Sequence, residues 1–278
     1  MRNIYTYLCG AKNTHCEDAL FACERFAFVI DGATGVDGCK VTDAFTDAEW
    51  YARTFRDTLA GLLKKDASFL SIMRECVRKT AETYDSFLGA SQVKDKPSAM
   101  ISAVRERGGM LEYYCLGDAG IVLRDREGGV RYLLDERLVK LDEALLLQMK
   151  KIAREEGLPF LETFPRIVPQ ILQNRARMNK AGGYGALAHT VEGLDTAVMG
   201  SVPIAGLKDV LLFSDGFAEA YDLFGLYKSP AEMIADVAEN GIVQAVKKLH
   251  AAQNSDPACE KFSRLKFRDD MSVVYARF

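Results

Sequence analysis

Short runs of hydrophobic residues, some alternating with polar ones, open the chain. Residues 4–9 and 19–23 have strand-like text, and residues 26–30 (FAFVI) are apolar throughout, as a strand buried on both faces requires. Only Glu24 and Arg25 separate the last two runs, so they read as a tight antiparallel hairpin. A turn is expected at Asp31-Gly32-Ala33-Thr34-Gly35, because two glycines within five residues interrupt a regular element. At Thr46 the period changes. Thr46 and Glu49 form a capping box, and Ala48, Tyr51, Ala52, Phe55, Leu59, Leu62 and Leu63 follow at helical spacing. A second helix is predicted from about Ser68, with Phe69, Ile72, Met73, Cys76, Val77, Tyr84 and Phe87 on one face. Two amphipathic helices in succession need a sheet or another helix pair to cover their apolar stripes.

After the polar connection 89–97, strands are predicted at 99–105, 111–116, 121–126 and 130–134. Their separators are short and Gly-rich, which suits an antiparallel meander and leaves no room for parallel crossovers. Residues 139–156 and 165–178 read as helices without recognisable chemistry. Further buried strands are expected at 210–213 and 271–276, with a helical stretch over 230–252 between them. The Gly-rich segment 182–199 is either a flap over a cleft, with Tyr184 as an exposed aromatic, or an ordinary surface loop and strand. With no internal repeat and no linker, a single domain over residues 1–278 is expected.

Composition narrows the class. Hydrophobic residues make up 49% and charged residues 27%, enough apolar surface for a sizeable core. The formal charge of -3 leaves no overall basic field for nucleic acid or anionic lipid, so neither is expected as a partner. No run reaches the roughly 18 uncharged apolar residues of a membrane span, and the N-terminus lacks the apolar core of a secretory signal, so a cytoplasmic location is expected. The seven cysteines contain no CxxC pair, which argues against a disulfide framework or a zinc ribbon. Cys9, Cys16 and Cys23 recur every seven residues and read as small buried side chains.

The acidic residues carry the chemistry. Asp31 follows FAFVI, Asp118 follows YYCLG, Asp215 follows VLLFS, the pair Asp269-Asp270 precedes MSVVYA, and Glu17-Asp18 precedes the strand at Ala19. Any one of them could cap a strand end, since Asp-Gly is a common turn dipeptide. Five clusters at strand termini are different, because a sheet that unites the strands can gather the carboxylates at one edge. Unpaired carboxylates gathered in one place require cations. With oxygen donors alone and no His or Cys cluster nearby, the expected ions are Mg²⁺ or Mn²⁺ rather than zinc.

In order and spacing, Glu17-Asp18, Asp31-Gly32, Gly117-Asp118, Ser214-Asp215-Gly216 and Asp269-Asp270-Met271-Ser272 resemble the metal-dependent protein phosphatases of type 2C. The resemblance runs from about residue 8 to the C-terminus and thins between roughly 136 and 182. It implies an α+β fold, a four-layer α-β-β-α sandwich of two antiparallel sheets flanked by helix pairs. It also implies that Asp31 bridges two metals with help from the Gly32 carbonyl. Asp215 and Asp269 would hold the first metal, Glu17 the second through water, and Asp18 would orient them. Asp118 matches a position that in bacterial members binds a third, weaker ion together with Asp215. The implied reaction is in-line attack on phosphorus by a hydroxide bridging two ions about 3.5 to 4 Å apart. The implied substrate is phosphoserine or phosphothreonine in a protein, within a system that includes a cognate kinase. Two positions depart from the family pattern. Asn13, with Lys12 beside it, stands where members usually place a phosphate-holding Arg, and Ala33 stands where many eukaryotic members carry a His. Lys12 and Asn13 are therefore the candidates for binding substrate phosphate, and His15 is a surface or capping residue.

Three other readings compete. A haloacid-dehalogenase-like phosphatase needs a nucleophilic Asp two residues before Asp31, and that position is Val29. A catalytically silent regulatory module would be expected to have lost at least one metal-bearing carboxylate, and all are present. A small-molecule phosphatase differs in substrate alone.

Overall fold

The computed structural model describes residues 1–11, 15–36, 38–89 and 93–278. The strands are β1 (Arg2–Cys9), β2 (Ala19–Ala22), β3 (Phe26–Ala33), β4 (Ser98–Arg107), β5 (Met110–Leu116), β6 (Gly120–Asp125), β7 (Val130–Leu133), β8 (Val198–Pro203), β9 (Leu207–Phe213) and β10 (Met271–Arg277). They form two five-stranded sheets, ordered β1-β10-β9-β6-β7 and β2-β3-β4-β5-β8. The helices are α1 (Asp47–Leu62), α2 (Phe69–Leu88), α3 (Glu136–Glu156), α4 (Phe164–Arg175), α5 (Asp215–Asp222), α6 (Pro230–Asn240) and α7 (Ile242–Asn254).

Period-two alternation explains the four layers. In β3, Phe28 and Ile30 point into a core shared with Tyr51 and Phe55 of α1 and Met73 of α2. Ala27 and Val29 of the same strand point the other way, into a core between the sheets with Val210, Leu212 and Val274. Leu211, Phe213, Val273 and Tyr275 then face a third core with Met233 of α6 and Leu249 of α7. Both sheets are therefore covered on both faces, which is why their strands read as continuous apolar runs. The predicted α-β-β-α sandwich is the observed one. The helix starts follow local chemistry. The Thr46 hydroxyl accepts the Glu49 N–H at 3.1 Å, and Ser68 accepts the Ser71 N–H at 3.2 Å.

Several expectations need correction. Residues 31–33 are not a turn: β3 continues through them, with Asp31 opposite Met100, Gly32 opposite Ala99 and Ala33 opposite Ser98. Gly32 is there because another chain segment lies against it, since a Cβ would come within 2.4 Å of the Glu17 carbonyl oxygen. The supposed meander is split. β4 pairs with β5 and β6 with β7, but β5 and β6 belong to different sheets, so residues 117–119 cross between layers. The helical stretch 230–252 is two helices meeting at Gly241. The 182–199 segment is no flap. Tyr51 donates its hydroxyl to the Ala188 carbonyl at 2.9 Å and Tyr114 to that of Leu194 at 2.6 Å, while the end of the segment enters β8, an edge strand on β5. Tyr184, expected to be exposed, is 3% exposed.

Candidate active site

Antiparallel pairing decides where the acidic residues meet. Ala19, Ile30, Ile101 and Leu116 form one row across one sheet, and Gly120, Phe213 and Val273 one row across the other. The starts of β2, β6 and β10 and the ends of β3, β5 and β9 therefore share one edge of the sandwich. Asp18 precedes β2, Asp31 lies one residue beyond Ile30, Asp118 sits in the crossover from β5 to β6, Asp215 opens α5 after β9, and Asp269 precedes β10.

The backbone is locked around them. The Ser272 N–H donates to the Ser214 hydroxyl at 2.9 Å and the Ser214 N–H to the Ser272 carbonyl at 3.0 Å, which ties the end of β9 to the start of β10. At Gly216, a Cβ would lie 2.1 Å from the Asp270 carbonyl oxygen, so α5 can start this close to β10 only with glycine there. The two acids before β10 have different tasks. Asp270 accepts the backbone N–H groups of Ala11 at 2.7 Å and Glu17 at 2.6 Å and so anchors the N-terminal segment. Asp269 turns into the cleft, where the Lys266 ammonium lies 2.6 Å from its Oδ1. Glu17 lies against β3, with Thr34 donating a hydroxyl to its carboxylate.

Mutual repulsion marks the cluster. Burial raises the Asp31 carboxyl well above the usual carboxylate range, and the charges of Asp215, Asp18, Asp118 and Asp269 add to this. Asp118 is raised by burial, Asp215 and Asp142. Asp18 is raised chiefly by burial. The nearby Ser214 and Ser272 hydroxyls soften its charge without completing a hydrogen bond of normal geometry. Burial and Asp215 push Asp269 up to about 7, against the opposing pull of Lys266. Both oxygens of Asp18, Oδ1 of Asp118 and Oδ1 of Asp215 are buried without a hydrogen-bond partner. Orphaned carboxylate oxygens are costly unless a cation meets them, and an all-oxygen donor set fits a hard divalent ion. Among the described residues, no group of three acidic, histidine or cysteine side chains is already arranged to hold an ion. The carboxylates are gathered but not closed around a centre.

The structure adds residues that sequence reasoning missed. Asp142 of α3 lines the same cleft, raised to about 7 by burial and by Asp215 and Asp269. Glu219 lies one helical turn beyond Asp215, is raised to about 7 by burial, and accepts the Gln253 amide at 2.8 Å. A helix starting at Asp215 would have revealed Glu219 by its i,i+4 spacing. Nothing in the text of α3 distinguishes Asp142 from a solvated surface acid. Lys266 could have been noticed three residues before Asp269. Lys12 and Asn13, the candidate phosphate-binding residues, lie outside the described residues. The His15 ring stacks on Phe45 with centroids 4.0 Å apart.

The sequence pattern of the family described as Protein phosphatase 2C matches residues 9–252. A comparison with curated protein sequences returned no match. Among solved structures, the Mycobacterium tuberculosis serine/threonine phosphatase PstP/Ppp is 17% identical with a TM-score of 0.58, covering 99% of this chain and 98% of that one. The catalytic domain of PstP in complex with two manganese ions is 18% identical with a TM-score of 0.56, covering 99% and 97%. The serine/threonine phosphatase Stp1 from Staphylococcus aureus is 12% identical with a TM-score of 0.53, covering 100% and 95%. At such identities the likeness is one of fold.

Proposed function

The chain belongs to the protein phosphatase 2C family, a family of metal-dependent serine/threonine protein phosphatases, and from that premise we propose that the gathered carboxylates are its reaction centre. Asp31 and the Gly32 carbonyl would help to hold two ions. Asp215 and Asp269 would hold the first, Glu17 the second through water, and Asp118 with Asp215 a third, while Asp18 orients the set. The ions are Mg²⁺ or Mn²⁺; the manganese pair in the PstP structure supports the count of two. When bound, such ions acidify water for attack on phosphorus and offset charge developing on the phosphoryl oxygens.

The chain's own residues supply the rest. Lys266 holds positive charge at Asp269, Ser214 and Ser272 keep β9 and β10 in register, and Asp270 fixes the segment carrying Glu17. Lys12 and Asn13 are the proposed contacts for substrate phosphate. The substrate is a phosphoprotein, made by a cognate serine/threonine kinase, and residues 1–278 act as one unit. No helix among the described residues is long and apolar enough to cross a membrane.

The observation that carries this reading is the set of buried carboxylate oxygens without partners, delivered from separate segments to one edge. The test is hydrolysis of an aryl phosphate and a phosphothreonine peptide in Mn²⁺, in Mg²⁺ and in EDTA, for wild type and for Asp31→Asn and Asp269→Asn. Turnover of both substrates with either ion, none in EDTA, and a loss of at least about 100-fold in each variant is expected. Turnover that survives EDTA discards the reading.

A further inference from the structure

The cleft continues beyond the carboxylates. A cavity of about 320 Å³ opens from Asp118, Asp215 and Asp269. It shares Glu143, Leu146, Leu223 and Ser263 with a second cavity of about 420 Å³ farther out. The two make one groove, with α3 on one side and the end of α5 and residues 261–266 on the other. Its character changes along its length. Near the reaction centre the lining includes the acids Asp142, Glu143 and Asp222 and the apolar Leu146 and Leu223, while its two cations are already engaged, Lys266 with Asp269 and Arg264 with Asp256. None of these three acids takes part in a salt bridge among the described residues. At the outer end the groove meets Leu147, 66% exposed, and Phe262, with Lys150 and Lys261 beside them.

The loop wall is built, not loose. Arg264, 4% exposed, donates to the carbonyl of Phe262 at 2.7 Å, of Phe267 at 3.0 Å and of Asp256 at 2.8 Å, and pairs with the Asp256 carboxylate at 3.2 Å. A preformed groove adds less ordering cost to binding than a mobile loop would. Its inner end suits a side chain with an apolar stem and a cationic tip: the stem lies along Leu146 and Leu223 and the tip meets the acids. Its outer end suits an apolar side chain. One aryl or sugar phosphate would leave most of this length empty, whereas an extended polypeptide advances about 3.3 Å per residue and would fill it.

Resting on the phosphatase reading above, we propose that this groove binds the polypeptide flanking the phosphorylated residue. It selects an arginine or lysine at the Asp142, Glu143 and Asp222 end and an apolar residue at the Leu147 and Phe262 end. The test compares kcat/KM for a phosphothreonine peptide series carrying Arg, Ala or Glu at each position from −3 to +3, with aryl phosphate as control. Wild type is expected to favour Arg over Glu at one of these positions by about tenfold, the scale of one or two half-exposed charge pairs, and to lose that preference as salt is raised. Glu143→Lys should reduce or invert the preference. Leu147→Glu should lower turnover of peptides with an apolar residue farther out by about threefold to tenfold. Both side chains are exposed, so both variants should fold and should hydrolyse aryl phosphate within about twofold of wild type. Equal turnover of the Arg and Glu peptides, or an unchanged preference in Glu143→Lys, overturns the proposal. Loss of metal-dependent aryl phosphate turnover in wild type would instead sink the phosphatase reading on which it rests.

Discussion

Replacing Asp215 by Asn should make the metal-free protein more stable, although it removes the acid most central to the cleft. After burial, the charge of Asp215 is the largest influence raising Asp31, Asp118, Asp142 and Asp269. Two carboxylates about 6 Å apart at an effective dielectric constant of 20 repel by about 3 kcal/mol. Partial protonation relieves much of this, so about 1–3 kcal/mol of retained repulsion is the scale to expect. Against it stands the loss of an anion at the first residue of α5, about 0.3–1 kcal/mol. Repulsion wins. The net gain centres on about 1.4 kcal/mol, so at about 2–4 °C per kcal/mol the variant should melt roughly 3–6 °C above wild type in EDTA at pH 8 and low salt. Manganese should reverse the order, since an ion at 100 times its Kd stabilises wild type by about 2.7 kcal/mol while the variant has lost a ligand. The pH dependence has a definite sign. Asp142 and Asp269 rise from an ordinary 3.8 to about 7 on folding, so the stability they contribute is full below pH 4 and is lost as pH climbs toward 7. The advantage of the variant should therefore be small near pH 4 and complete by pH 8. Differential scanning fluorimetry in EDTA across that range decides it. A variant that melts below wild type at pH 8, or a difference independent of pH, refutes the reasoning.

Lys266→Met should have the opposite effect, because it removes positive charge from the cluster. The side chain is 59% exposed, so after solvent screening the loss in EDTA should be about 0.5–1 kcal/mol, read in the same melts. Arg264→Met should cost about 3–5 kcal/mol in urea unfolding, since it leaves the buried Asp256 carboxylate without its cation, held only by the N–H groups of Glu260, Lys261 and Phe262, and removes the guanidinium from the carbonyls of Asp256, Phe262 and Phe267. Gly32→Ala should cost about 1–3 kcal/mol, because the new methyl collides with the Glu17 carbonyl 2.4 Å away. It should also depress Mn²⁺-dependent turnover, with unchanged turnover showing that Glu17 need not be held where it is.

What could be read from the sequence divides along a physical line. Strand-borne features were legible because their cause is local. FAFVI announces a strand buried on both faces, and Ala27 and Val29 do face one core while Phe28 and Ile30 face another. The carboxylates were legible as a set for a related reason. In an all-antiparallel sandwich the end of one strand and the start of its neighbour share an edge, so acids at strand termini have few places to go. Sheet membership was not legible. The turn text between β5 and β6 resembles that between β4 and β5, yet one crosses between layers and the other closes a hairpin. Which way the chain passes at residues 117–119 is settled by the outer cores, since Val122 of β6 packs with α6 and α7 whereas Tyr114 and Leu116 of β5 pack with α1 and α2, a long-range choice that turn chemistry does not encode. Asp142 stayed hidden for the same reason: its importance comes from where α3 packs, and helical periodicity records only which face is apolar. The contrast extends to the groove. Its inner acids and outer leucine come from α3 and α5 and its Phe262 from the segment before β10, three elements whose approach is fixed by packing. Chemistry carried on strand ends can thus be inferred from linear text, whereas the residues proposed to choose the substrate become visible only once the helices are in place.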